Sequence, residues 1–128
     1  MYSDQVAKVA VAQDKKHVWH HLMQHSLFDE NDPMMIVRGE GSYVWDAKDN
    51  KYLDASSGGV WCVNVGYGRK SIVDAMSEQL LKLNYFASTA GNIPAANFAE
   101  KLIEKMPGLD RVYYANSGSE ANEKAFKM

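Results

Sequence analysis

The chain has 128 residues, of which 46% are hydrophobic and 23% charged, and its formal net charge is -2. This length suffices for one modest domain, and the near-neutral charge excludes the strongly basic classes that bind nucleic acids or membrane surfaces. No apolar run approaches the length of a membrane span, the polar residues after Met1 do not form a secretory signal, and the single cysteine, Cys62, is typical of the reducing cytoplasm.

The N-terminal part predicts one helix followed by a small sheet. Apolar residues recur at three- and four-residue steps from Ser3 to about Gln24, which predicts a helix with a narrow apolar stripe that needs a packing partner. The polar stretch 13–17 predicts a break in this helix or a surface position. Three short segments separated by Gly and Asx turns then predict an antiparallel meander with a structural role. The segments are Met34–Arg38, Ser42–Asp46 and Lys51–Asp54.

Three histidines spaced four residues apart, His17, His21 and His25, are expected to share one face of the predicted helix. Such spacing can hold a metal ion. No glutamate lies between them as in the helical pattern of zinc proteases. We therefore interpret these side chains as a solvated face and predict no metal site.

A long loop, residues 55–68, is rich in glycine and small residues and carries one large aromatic side chain, Trp61. Long loops in compact proteins are often functional, and aromatic side chains line ligand pockets. Trp61 is therefore either the wall of a pocket or an anchor that fixes the loop to the core. Without further context the anchor is the favoured interpretation.

Residues 69–128 follow a rhythm of helices and a strand that is typical of an α/β domain. Amphipathic helices are predicted at Arg69–Leu83 and from Pro94 to Met106, and an irregular connection, residues 84–92, joins them. The composition changes near Gly68, which predicts a boundary between residues 1–68 and residues 69–128.

A stretch rich in small residues, Ala115–Glu123, lies between a predicted strand and a predicted helix. The first amides of a helix lack internal partners and carry partial positive charge, so small residues there can admit a phosphate. Ser117 and Glu120 also match a plain capping box. Spacing alone leaves both interpretations open. The flanking elements are predicted as strand Arg111–Ala115 and helix Ala121–Met128.

Common nucleotide and nucleophile motifs are absent from the sequence. There is no G-x-x-x-x-G-K-[ST] run, no G-x-G-x-x-G after a strand and no G-x-S-x-G elbow around a serine. The ligand that remains compatible with the helix head is a cofactor or substrate with a single phosphate.

Three stretches, in this order, resemble class III (omega) aminotransferases, which are fold-type I enzymes that use pyridoxal 5'-phosphate: Tyr43–Asp54, Gly59–Arg69 and Tyr113–Glu123. Variants at positions 57–61, 89–94 and 120–127 are similar to the taurine–pyruvate aminotransferases within this family. The resemblance implies an α/β fold with an N-terminal helix, a small antiparallel meander and the start of the large cofactor-binding α/β domain.

The resemblance also implies roles for individual residues. Ser117, Gly118 and Ser119 match the turn that binds the cofactor phosphate, with Gly118 and Ser119 as the most direct contacts. Trp61 matches an aromatic wall of the substrate pocket. Two further aromatic residues match side chains that cross a dimer interface toward the neighbouring active site; they are Tyr85 and Phe86.

The reaction implied by the resemblance is transfer of an amino group from an omega-amino donor, such as taurine or beta-alanine, to pyruvate, in a homodimer or higher homo-oligomer. Other amine donors of the family, GABA or a diamine, are alternatives. A non-catalytic, truncated module that binds phosphate is the alternative from a different class.

The sequence stops at Met128 within a predicted helix that has no stop signal, and one parallel strand cannot form a sheet alone. We therefore expect an N-terminal fragment of a longer protein. The family's Schiff-base lysine and the aspartate that pairs with the pyridinium nitrogen are expected beyond Met128, and Lys124 and Lys127 are interpreted as solvated. Because transamination needs a lysine aimed at the cofactor aldehyde, the 128-residue chain alone is expected to be inactive.

Overall fold

The computed structural model describes residues 2–87 and 89–128, and these form five α-helices and one three-stranded sheet. The chain divides into two compact units, Met1–Gln79 and Leu80–Met128. The boundary that the composition predicts after Gly68 stays a prediction, and Ser88, in the predicted connection 84–92, lies outside the described residues. The helices are α1 (Asp4–His17), α2 (Leu27–Glu30), α3 (Lys70–Lys82), α4 (Ile93–Ile103) and α5 (Gly118–Lys127), and the strands are β1 (Ile36–Glu40), β2 (Tyr43–Asp46) and β3 (Lys51–Leu53).

The first helix, α1, begins at an N-cap serine and ends earlier than predicted. The hydroxyl of Ser3 accepts from the Val6 N–H at 3.4 Å. After His17 the backbone becomes extended at Val18, with φ -101° and ψ 127°. The prediction of a helix as far as Gln24 is therefore wrong beyond His17, and the polar stretch 13–17 marks where the helix ends.

The segment after α1 folds back, so the predicted shared face of His17, His21 and His25 is wrong. His20 Nε2 lies 2.6 Å from Asp14 Oδ1. His25 Nε2 accepts from the His20 N–H at 3.0 Å, and the His25 ring lies 4.5 Å from the Trp19 ring between centroids. His25 is thus partly buried in a local aromatic cluster rather than solvated on a helix.

The predicted antiparallel meander is confirmed, with small shifts at its ends. The strands lie in chain order, and Val44 pairs with Gly39 on one side and with Tyr52 on the other. β1 begins at Ile36, two residues later than predicted, with an irregular register between Ile36 and Arg38. Alternate β2 side chains point inward. Among the residues that the structure describes, those that are buried are Pro33, Val44 and Asp46.

Asp46 organises the turn between β2 and β3. Its Oδ1 accepts from the backbone N–H groups of Lys48 and Asn50, at 2.8 and 2.9 Å. Its Oδ2 accepts from the Asn50 side-chain amide and the Tyr52 hydroxyl, both at 2.9 Å. These hydrogen bonds, led by the one from the Asn50 side chain, lower the pKa of the Asp46 carboxyl to about 2. The turn therefore closes around an ionised carboxylate.

In the second unit, α4 confirms the predicted start near Pro94. The Asn92 side chain caps it by accepting from the Ala95 N–H at 2.9 Å, and the proline occupies the first turn, where its missing N–H costs nothing. The helix ends at Ile103, three residues before the predicted end. The neighbouring α3 lies within one residue of its predicted bounds.

The segment 111–115 is not a β-strand, because it pairs with no other strand among the described residues. It is held by side chains instead. The Tyr114 hydroxyl donates to the Ala95 carbonyl at 2.6 Å, and the Tyr114 ring stacks on Phe98 with 6.2 Å between centroids. The predicted strand is wrong for this chain, since an extended segment becomes a strand only beside a partner.

The described part of the chain includes no helix that is both long enough and apolar enough to cross a membrane.

Candidate functional site

The head of α5 forms the predicted cap. Ser117 is the N-cap residue, with φ -149° and ψ 162°, and its hydroxyl accepts from the Glu120 N–H at 3.2 Å. Glu120 Oε2 accepts from the backbone N–H of Asn116 at 2.9 Å and from its side-chain amide at 3.4 Å. The reciprocal bond of this capping box therefore goes to the N–H one residue upstream of the N-cap.

The same helix head has the chemistry for a single phosphate group. The N–H groups of Gly118 and Ser119 lie in the first turn, where an α-helix offers them no internal acceptor. A Cβ at Gly118 would meet nothing within 4 Å, so a ligand can approach the backbone there. The Ser117 hydroxyl keeps its own proton for donation while it accepts the capping bond. The same residues can therefore cap the helix and bind a phosphate at the same time.

The two lysines of α5 are held by other groups. Lys124 Nζ lies 4.3 Å from the centroid of the Tyr113 ring and donates to the Tyr114 carbonyl. Lys127 Nζ lies 3.3 Å from a Glu123 carboxylate oxygen, one helical turn away. The interpretation of Lys124 as a solvated residue is wrong, because this half-buried side chain ties α5 to the segment before it.

Tyr85 and Phe86 belong to the same unit as the helix head, in the segment between α3 and α4. Their side chains are 77% and 59% exposed. Both rings are therefore accessible on the surface of this unit.

Trp61 lies in the first unit, on a wide turn within the loop 55–68. The Trp61 N–H donates to the Ser56 carbonyl at 3.0 Å, and the Cys62 N–H donates to the Ser57 carbonyl at 2.8 Å. The Trp61 side chain is 78% exposed. The favoured interpretation of Trp61 as an anchor to the core is therefore wrong within this unit, and its indole is free to meet a ligand.

The backbone of this turn is unusual. Ser57, Gly58, Gly59 and Trp61 have φ values of 56°, 83°, 83° and 61°. Glycine adopts such values freely, whereas a residue with a Cβ loses about 1–2 kcal/mol in this region. A bulky residue at positive φ is a genuine outlier that the surroundings must impose.

Asp54 organises the start of the loop, a role that the sequence analysis missed. Its Oδ1 accepts from the N–H and the hydroxyl of Ser56, both at 3.1 Å. Its Oδ2 accepts from the Gly58 N–H at 2.6 Å and from the Tyr67 hydroxyl at 2.7 Å. These bonds, led by that from Tyr67, lower the pKa of the Asp54 carboxyl to about 2, and the same pairing raises the pKa of Tyr67.

The signal that could have revealed this role is local. Asp54 is predicted as the last residue of a strand, but β3 ends at Leu53 and the carboxylate turns toward the loop. An aspartate followed two residues later by a small polar residue is typical of an Asx turn. The bond to Tyr67 spans 13 residues and leaves no local pattern.

Tyr67 fixes the far end of the loop to the sheet. Its backbone exchanges two hydrogen bonds with Gly41, at 2.8 and 3.1 Å. Its ring covers Gly39, where an added Cβ would lie 2.5 Å from Tyr67 Cγ. Gly39 therefore has no room for a side chain, and Tyr67 has little freedom to move.

Comparison with known proteins places the chain in a family. The sequence profile of the family described as aminotransferase class-III matches residues 27–128. The chain belongs to the class III aminotransferases. It is 63% identical over 118 residues to the hypotaurine/taurine–pyruvate aminotransferase of Paracoccus denitrificans, covering 92% of this chain and 26% of that protein. It is 57% identical over 124 residues to the taurine–pyruvate aminotransferase of Rhodobacter capsulatus, covering 97% and 27%.

Solved structures confirm the predicted α/β fold of a fold-type I transferase. This class III chain matches an aminotransferase of Bacillus anthracis with a TM-score of 0.87 and 38% identity, over 99% of this chain and 27% of that one. It matches an (S)-enantioselective omega-transaminase of Thermomicrobium roseum with a TM-score of 0.86 and 36% identity, over 94% and 28%. The chain thus spans about a quarter of the length of these relatives.

An open groove of about 1030 Å³ lies between α1 and the turn that follows β2. Ala7 and Val11 line it from the helix, and Ala47 and Lys48 line it from the turn. None of the predicted site residues of this class III chain lines it, so the groove is not assigned to cofactor or substrate.

Proposed function

We propose that this chain is the N-terminal part of a longer aminotransferase that moves an amino group from an omega-amino donor to pyruvate. The observation that carries the proposal is the open, capped head of α5, with the Gly118 and Ser119 N–H groups available to a single phosphate. The close similarity to taurine–pyruvate aminotransferases supports pyruvate as acceptor and taurine, or a similar amine such as beta-alanine, as donor.

The proposed cofactor is pyridoxal 5'-phosphate, with Ser117, Gly118 and Ser119 holding its phosphate. When bound, this group supplies an electron sink for the carbon that carries the substrate amine. The helix dipole and the two free N–H groups stabilise the phosphate charge. The Ser117 hydroxyl donates to the phosphate without releasing its cap, so binding does not cost the helix its first turn.

The proposed substrate contacts are aromatic. The exposed indole of Trp61 forms one wall of the pocket, where it excludes water and limits the shape of the amine donor. Tyr85 and Phe86, also exposed, reach toward the active site of the neighbouring subunit in a homodimer or higher homo-oligomer. Each of these side chains binds and orients substrate and does no covalent chemistry.

The amine that the reaction needs is proposed to lie beyond Met128. Lys124 is held against Tyr113 and Tyr114, and Lys127 is paired with Glu123. Neither amine is therefore poised as a nucleophile. These engaged lysines also favour the second candidate, a fragment that binds a phosphorylated ligand without catalysis.

The test uses a full-length protein that contains this chain, here called the parent protein, and its Ser119→Ala variant. We expect the parent protein to form an imine with pyridoxal phosphate that borohydride fixes to a lysine outside residues 1–128. Ser119→Ala should weaken cofactor affinity about tenfold, because it removes a hydroxyl beside a charged group. Ser71→Ala, in the first turn of α3, is the matched control and should leave affinity unchanged.

An adduct on Lys124 or Lys127 would contradict the lysine assignment. Unchanged cofactor affinity in Ser119→Ala would contradict a contact between the Ser119 hydroxyl and the phosphate. Donor identity is read from rates with taurine, beta-alanine, GABA and a diamine, each with pyruvate; a rate with taurine below all the others would exclude it as the preferred donor.

A further inference from the structure

A continuous series of contacts links the sheet to the backbone of Trp61. It begins at Gly39 in β1, which lies against the Tyr67 ring. The Tyr67 hydroxyl donates to Asp54, and the same carboxylate oxygen accepts from Gly58, three residues before Trp61. The sheet thereby determines the path of the turn that carries the exposed indole.

A second set of bonds closes the turn on its other side. The Val63 N–H donates to the Ser57 hydroxyl at 3.0 Å, and that hydroxyl donates to the Asn64 side chain at 3.1 Å. In the chain, Trp61 lies between Gly58, which donates to Asp54, and Val63, which donates to the Ser57 hydroxyl. Both ends of the turn are thus fixed, while the Trp61 side chain itself remains exposed.

Both oxygens of Asp54 must be acceptors. Oδ1 meets the Ser56 N–H and Oδ2 meets the Gly58 N–H, and a backbone N–H can only donate. Either orientation of an asparagine amide would therefore place an NH₂ group against a backbone N–H. Asparagine has the same shape as aspartate but only one acceptor oxygen and no charge. The position therefore requires aspartate for its charge and its two acceptors.

We propose that Asp54, acting through Gly58 and braced by Tyr67, is a positioning residue that fixes the left-handed backbone at Trp61 and so sets where its indole meets the substrate. This rests on the proposed role of Trp61 as a wall of the substrate pocket. Without the carboxylate, the turn relaxes toward ordinary φ values and the indole leaves its place.

The structural test is hydrogen exchange of the peptide 55–63 in the cofactor-loaded parent protein. Asp54→Asn should exchange at least about tenfold faster in this peptide than the wild type, and Tyr67→Phe should show a smaller increase in the same peptide. Gly39→Ala, which displaces the Tyr67 ring, should reproduce the Tyr67→Phe effect. Asp46→Asn is the matched control: it removes a comparable set of hydrogen bonds from the β2–β3 turn and should leave exchange of the peptide 55–63 unchanged.

The kinetic test asks whether Asp54 acts through Trp61. Asp54→Asn should raise KM for taurine about tenfold with kcat within about threefold of wild type, and Trp61→Ala should do the same. In a Trp61→Ala background, Asp54→Asn should then add nothing further, because residues that act through one contact are not additive. Asp46→Asn should leave KM for taurine unchanged.

Unchanged exchange in the peptide 55–63 of Asp54→Asn would overturn the proposal, as would a KM effect that adds fully to that of Trp61→Ala. A parent protein with no aminotransferase activity would instead overturn the proposed function, and a Trp61→Ala variant with normal KM would overturn the proposed role of Trp61 as a wall of the substrate pocket. In that case hydrogen exchange alone would still decide whether Asp54 fixes the turn that carries Trp61.

Discussion

Glu120 places a negative charge in the first turn of α5, whose head is the proposed phosphate site. An acidic residue there stabilises the helix through its dipole, but it also repels a phosphate. The structure reduces this conflict by turning the carboxylate back to the Asn116 N–H, at 2.9 Å. The residue thus contributes to the cap while its carboxylate is engaged by Asn116.

We predict that Glu120→Gln raises the affinity of the parent protein for pyridoxal phosphate about threefold. Glutamine retains an acceptor for the Asn116 N–H and removes the repulsive charge, so the melting temperature should change by no more than about 2 °C. Affinity is measured by titrating the apo protein. Glu123→Gln, which changes net charge equally but contacts Lys127, should have no such effect. Weaker binding by Glu120→Gln would mean that its charge organises the site.

At this scale, prediction from sequence succeeded where partners are near in the chain. The cap of Ser117 depends on a residue three positions away, and the sequence contains that spacing. The contact of Asp54 with Tyr67 was missed because it joins residues 13 apart. The favoured interpretation of Trp61 failed for another reason: exposure of an aromatic residue depends on what packs over it, which composition does not specify.

Two elements of the first unit, the β2–β3 turn and the Trp61 loop, are built in the same way. Each closes around one carboxylate, Asp46 or Asp54, that accepts hydrogen bonds from the backbone of the turn and from one tyrosine hydroxyl. The pKa of each carboxyl is lowered from 3.8 to about 2. Each turn therefore depends on the ionised form of its own aspartate.

We predict that both turns lose protection from hydrogen exchange, corrected for the intrinsic rate, as the pH falls from about 4 to about 2. The folded pKa lies below the unfolded one, so the stabilisation is complete above the unfolded value and is lost as the folded groups take up protons. Asp46→Asn should be less protected at pH 7 in residues 44–53 and should show a weaker decline in acid. An equally steep acid decline in that variant would contradict the assignment.

The helices and strands were predicted from the sequence with different accuracy. The meander and α3 follow from periodicity and turn residues. α1 was predicted too long because apolar spacing resumes at Val18 and Trp19, where the backbone already turns. The segment 111–115 has the composition of a strand, but strand formation needs a neighbour, and no local pattern supplies one.

At the scale of the whole molecule, the chain leaves most of its large apolar side chains exposed. None of the helices contains a buried residue among those that the structure describes. Leu81 of α3 is 90% exposed and Phe126 of α5 is 91% exposed. Apolar faces of this extent favour contact with further protein, and the relatives are about four times as long as the matched region.

We predict that the 128-residue chain alone binds a hydrophobic dye such as ANS and unfolds without a sharp transition, because it lacks a closed core. The parent protein should bind little dye and melt cooperatively. Dye fluorescence and calorimetry on the two proteins make the comparison. A sharp melting transition without dye binding in the short chain would show that the exposed apolar helix faces do not require contact with further protein.

The left-handed backbone at Trp61 has a consequence for the evolution and redesign of the proposed substrate pocket. Because Asp54 and Tyr67 impose the path of the turn from outside it, that path does not depend on which side chain occupies position 61. Exchanging the indole for a smaller group should then alter the amines that are accepted while the main chain keeps its course. Glycine or asparagine, which tolerate positive φ, should even relieve strain there. In the proposed pocket, the support of the main chain is thus separate from selectivity for the amine, so one can vary while the other is kept.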